Sequence, residues 1–184
     1  MKKNRYFFRN ISFLFLSLFL LSCSTKDSEC KFDFNGFVFL LPMKVKEIKE
    51  KIPLKFEPYV GFTAVFDTAA MYSMCSIQIE NHPFWSGSDN DVEDDYLNKK
   101  VVGITFSKQF NEEYFMQLKD ELSLKYKISF SKQRILTSGS VIDYEMGSYV
   151  NCKIILFNNG GILRVSFYGG ITNDELQEYI QYSL

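Results

Sequence analysis

Beyond residue 30, apolar side chains recur at every second position in run after run, and that period commits most of the chain to β-strands. In residues 71–80, Cys75, Ile77 and Ile79 alternate with Ser76, Gln78 and Glu80, giving one apolar and one polar face. Runs of strand character also cover 31–40, 59–66, 101–106, 128–130, 140–146, 149–157 and 162–168. In the first of these, Phe32, Phe34, Phe37 and Phe39 surround Asn35-Gly36, which predicts a strand interrupted at Gly36 by a bend or bulge. Asn158-Asn159-Gly160-Gly161 predicts a tight hairpin, because Asn and Gly tolerate the positive φ such turns need. Asp67-Thr68-Ala69-Ala70 supplies a second hairpin connection.

Three segments switch to the helical period. Pro42 suits a first helical turn, Val45, Ile48 and Ile52 follow at helical spacing, and Pro53 stops the helix. Asn111 is the N-cap of a second helix, with Glu112 and Glu113 at the positive end of its dipole and Phe115, Leu118 and Leu122 as its stripe. Thr172-Asn173-Asp174-Glu175 is a capping-box pattern opening a third, whose apolar side is Leu176, Tyr179 and Ile180. The expected class is α+β, an antiparallel sheet with helices packed on one face. Gly36-Phe37-Val38-Phe39 parallels Gly103-Ile104-Thr105-Phe106, each opening a strand–helix–strands series, so two degenerate β-α-β-β units are one plan for it. The polar, aperiodic loop 82–95 then divides a single domain, 31–184, into halves 31–81 and 96–184.

Residues 1–22 follow different rules. Lys2, Lys3, Arg5 and Arg9, with no acidic residue among them, precede an apolar run over 11–21. That run is about half the length a transmembrane helix needs. Leu20-Leu21-Ser22-Cys23 ends it, with leucine three before the cysteine and a small residue directly before it. The segment resembles a bacterial lipoprotein signal peptide with its lipobox. The resemblance implies cleavage ahead of Cys23, lipidation of its thiol, and export to a membrane-anchored place in the cell envelope. No Asp stands directly after Cys23, which by the same resemblance favours the outer membrane, on its periplasmic or surface face. Residues 23–30 read as a lipidated flexible tether, polar from Ser24 to Glu29. Each buried methylene contributes about 0.8 kcal/mol, so two or three acyl chains make the attachment effectively permanent.

Cleavage also changes the charge. Removing four of the 21 basic residues and none of the 22 acidic ones takes the net charge from −1 to −5. An acidic chain without a basic cluster argues against nucleic acid as a partner. The 17% aromatic content raises the idea of sugar stacking, but most phenylalanines fall at core-periodic positions and Trp85 is the one tryptophan. With Cys23 lipidated, Cys30, Cys75 and Cys152 remain, and an exported chain can oxidise one pair. Cys75 and Cys152 lie in strand-like runs, where they serve either as a Cys75–Cys152 bridge or as two small buried hydrophobes. No Cys-x-x-Cys spacing occurs, and with one histidine zinc is disfavoured.

The loop holds the candidate site residues. His82 stands beside Phe84 and Trp85, an aromatic pair suited to contacting a partner. As a general base His82 lacks a recognisable nucleophile motif. Asp89, Asp91 and Glu93 alternate as carboxylates converging on a hard cation do. An EF-hand would need Gly and Glu where Asp94 and Lys100 stand, so a solvated loop is expected and a metal site is the alternative. No motif calls for a cofactor. The expected function is a non-enzymatic cell-envelope lipoprotein that binds an envelope protein or glycan. The alternatives are a carboxylate-dependent hydrolase of an envelope or host polymer, and an inhibitor or immunity lipoprotein.

Overall fold

The computed structural model describes residues 29–66, 72–81, 92–136 and 141–183. In chain order these form β1 (Cys30–Phe34), β2 (Phe37–Leu41), β3 (Met43–Lys44), α1 (Val45–Lys49), β4 (Lys55–Glu57), β5 (Gly61–Val65) and β6 (Met74–Ile79). There follow β7 (Lys100–Gln109), α2 (Glu112–Tyr126), β8 (Ser131–Leu136), β9 (Val141–Tyr149), β10 (Cys152–Asn159), β11 (Ile162–Gly169) and α3 (Asn173–Ser183). The chain is α+β and mostly antiparallel sheet, as its alternation predicts. The main sheet runs β4-β5-β6-β7-β11-β10-β9-β8, with β3 added beside β7. Because β6 pairs with β7, the segments before and after loop 82–95 share one sheet.

β1 and β2 are not one bent strand. Phe34 pairs with Phe37, and Asn35 and Gly36 take φ of 52° and 79°, so Gly36 is half of a two-residue turn. The hairpin lies against the sheet and buries Phe32, Phe34 and Phe39 on Phe106 and Phe167, with ring centroids 4.8–6.4 Å apart. A Cys30–Cys152 disulfide, with Cα atoms 5.5 Å apart, ties the hairpin to the start of β10. The Cys75–Cys152 bridge is excluded by topology. β7 and β11 stand between β6 and β10, three strand spacings or ~14 Å, whereas a disulfide needs Cα atoms within about 7 Å. Cys75 is a buried free thiol, its pKa pushed up by that burial. Cys30, expected in the tether, is the first residue of the fold.

β10 carries Ile154, Ile155, Leu156 and Phe157 in succession, all buried, so both faces of the sheet are covered. On one face Ile154, Leu156, Val165 and Phe167 pack with the hairpin, with Val45 and Ile48 of α1, and with Leu118 and Leu122 of α2. On the other, Ile155, Phe157 and Tyr168 pack with Leu176, Tyr179 and Ile180 of α3. The expectation of helices on one face is corrected: α3 lies across the sheet from α1 and α2. Tyr179 Oη donates to the Ile79 carbonyl at 2.9 Å, and burial pushes its pKa up to about 12.

The long helices start where their caps predict. Asn111 Oδ1 accepts from the Tyr114 N–H at 2.8 Å. Glu175 Oε2 accepts from the Thr172 N–H at 2.7 Å, and the Glu175 N–H donates back to Thr172 Oγ1 at 3.2 Å. Pro42 does not open α1; it follows a cis peptide and precedes β3, whose Met43 pairs with Val101, so the helix begins at Val45. Ile128 forms no strand but fills the space over Gly147, where a Cβ would meet its Cδ1 at 2.5 Å. The strand is β8, immediately after it. Asn159 pairs with Ile162 across Gly160 and Gly161, the hairpin the sequence predicts. The turn at 67–70 lies outside the described residues, between β5 and β6, which pair antiparallel.

Candidate functional site

β8, β9 and β10 present a row of side chains to the N-terminal half of α2. Lys132 stands opposite Glu145, Arg134 opposite Asp143, and Glu145 opposite Leu156. Residues directly opposite share a face of the sheet, and Leu156 marks it as the face covered by α2. Between this row and the helix lies a cleft of about 590 Å³, inside the ~300–1,000 Å³ usual for ligand sites. Phe110 and Phe115, with ring centroids 5.9 Å apart, form its apolar wall. Leu156 and Asn158 line it from β10.

Charge in the cleft is held in place. Arg134 donates from Nε and Nη2 to the two Asp143 oxygens at 2.6 and 2.9 Å, a bidentate fork. That bond holds the Asp143 carboxyl below its usual range and raises the guanidinium. The pair is exposed, so it defines geometry more than it stabilises the fold. Glu145 Oε2 lies 2.5 Å from Lys119 Nζ, a charge contact that ties α2 to the sheet. Lys132 forms no ion pair among the described residues. The charged residues lining the cleft, Lys132 and Arg134 against Asp143 and Glu145, balance, and Lys119 beside Glu145 offsets one of the two carboxylates.

Two carboxylates in one cleft are what a hydrolase of the expected kind would use. A general acid, however, needs a raised pKa, and Asp143, shifted the other way, does not suit that role. What the cleft offers is charge and aromatic surface in set positions. A second polar cluster is closed: Tyr72 Oη and Tyr114 Oη are 2.6 Å apart, with Lys108 Nζ 3.7 Å above the Tyr114 ring. Burial raises both phenols, so they act as packing and hydrogen-bonding groups.

Of the residues singled out from sequence, Cys23, His82, Phe84, Trp85, Asp89 and Asp91 lie outside the described residues. Glu93 opens a 3-10 turn (Glu93–Asp95) and forms an ion pair with Lys49 of α1. Among the described residues no three His, Cys, Asp or Glu side chains gather as metal ligands, and no helix is long and apolar enough to cross a membrane. Sequence reasoning passes over the cleft because residues 131–136 are too polar to read as a strand. The signal was there in Lys132-x-Arg134 and Asp143-x-Glu145, like charges at alternate positions of what prove to be neighbouring strands. Compared with known proteins, the chain matches no family model, no curated protein and no solved structure.

Proposed function

We propose that this chain is a non-enzymatic binding module of the cell envelope, held at the membrane through lipid on Cys23 and recognising a protein or glycan with the α2–β8–β9–β10 cleft. The observation that carries the binding role is the cleft, where paired charges and an aromatic wall face open space together. The anchoring role rests on the lipobox resemblance. The Cys30–Cys152 disulfide supports it, since such bonds persist in oxidising compartments outside the cytosol.

The direction of β10 joins the two roles. Cys152 lies at the end where the tether meets the fold, and Asn158 lines the cleft, about 20 Å further along the strand. The chain from Cys23 to Cys30 spans at most about 25 Å. The domain is thus kept close to the membrane with its cleft at the end of the sheet opposite the anchor. Gly36-Phe37-Val38-Phe39 lies in the separate β1–β2 hairpin and does not open a unit. A strand–helix–meander plan still occurs twice, as β3-α1-β4-β5-β6 and β7-α2-β8-β9-β10-β11, which supports two degenerate units with β3 opening the first.

Cys23→Ala tests the anchor: label from palmitate and membrane retention are both expected to vanish. Equal retention of the two chains, with no label on the wild type, refutes it. For binding, a photo-crosslinking residue in place of Asn158, on the cleft face of β10, is expected to give a discrete adduct in native membranes that Lys132→Glu removes. An adduct pattern indifferent to Lys132 refutes the cleft as the site.

A further inference from the structure

We infer that the cleft takes an acidic peptide segment, laid as an added strand along the free edge of β8; this rests on the cleft being the binding site. β8 is the last strand of the sheet, and β9 is its only strand partner among the described residues. One row of its backbone N–H and C=O groups therefore has no strand to pair with. Over residues 132–134 that edge borders the cleft. Main-chain groups in a row are recognised by another main chain, which is why a peptide fits this edge better than a sugar does.

The side chains define which peptide. An added strand alternates its side chains as β8 does, so every second residue points toward the cleft. Those positions stand beside Lys132 and Arg134, themselves two residues apart on the cleft face. Lys132 has no ion pair among the described residues. Arg134 commits Nε and Nη2 to Asp143, which leaves Nη1 for a second acceptor. Carboxylates at alternate positions of the peptide match this pair, and an apolar residue further along the same face meets Phe110 and Phe115. The same two cations repel a basic strand and deter indiscriminate edge pairing, so the edge admits a partner that brings negative charge.

The test is fluorescence anisotropy on the full lipidated chain in detergent micelles. The probe is a labelled peptide alternating glutamate with valine and ending in phenylalanine. Saturable binding is expected, weakened about tenfold or more by Lys132→Glu, and lost when the peptide amides facing β8 are N-methylated. A peptide with lysine for glutamate is expected not to bind. Equal affinity for the acidic and basic peptides overturns the proposal. So does binding that needs Lys132 but ignores N-methylation, since that describes an anion site without strand addition. If no peptide binds while the Lys132-dependent adduct at position 158 persists in membranes, the ligand class is wrong and the binding module stands. Loss of both removes both.

Discussion

The Cys30–Cys152 bond closes a loop of 122 residues, so it restrains most of the unfolded domain. In the chain-entropy account a cross-link removes about 2.1 + 1.5R ln n cal/mol/K from the denatured ensemble, which for this loop is about 16 cal/mol/K, or ~5 kcal/mol at room temperature. Both cysteines are buried, at 0% and 3% exposure, so alanines in their place remain packed and the native state loses little beside that term. In a domain of this size each kcal/mol moves Tm by ~2–4 °C, so the Cys30→Ala/Cys152→Ala chain is expected to melt on the order of 10–20 °C lower. Thermal and urea unfolding of the full chain in detergent measure the loss. Alkylation under denaturing conditions, read by mass spectrometry, checks the pairing independently. Without reductant Cys75 is labelled, and Cys30 and Cys152 join it only after reduction. If Cys75 is protected until reduction, or the double variant melts with the wild type, the reasoning from topology and loop length is wrong.

Two further perturbations probe the sheet and α3. At Gly169 an added Cβ would lie 2.8 Å from Cys30 Cβ, Leu41 Cβ and the Leu41 carbonyl oxygen; Gly169→Ala is expected to cost about 1–3 kcal/mol in urea unfolding, and an unchanged midpoint would refute that close approach. Hydrogen bonds from the Thr172 N–H and hydroxyl hold the Glu175 carboxyl below its ordinary 4.5. Since the folded value is the lower one, this contribution is present above about pH 4.5 and is lost as pH falls through the folded value. The stability gap between wild type and Glu175→Gln is therefore expected to close in acid, and a gap independent of pH would count against the capping box.

Features made by neighbours in sequence are legible in the sequence. Asn111 and Thr172 meet backbone groups three residues away, and Gly160-Gly161 supplies the two positive φ values its turn needs. Ile154 to Phe157 is a continuous apolar run, the mark of a strand buried on both faces, and it is the signal that helices must cover both. β8 gave no such signal. An edge strand buries little and carries charge to discourage pairing, so Ser131–Leu136 resembles a loop in composition.

By itself the sequence determined the strand-rich α+β class, the caps and the main hairpin. All of these depend on period or on contacts a few residues long. Only the tertiary structure decided that Cys30 rather than Cys75 reaches Cys152, that α3 lies across the sheet from α2, and that Lys132 and Arg134 meet Asp143 and Glu145 under Phe110 and Phe115. Those depend on strand order, which brings distant residues together through the burial of the whole apolar surface at once.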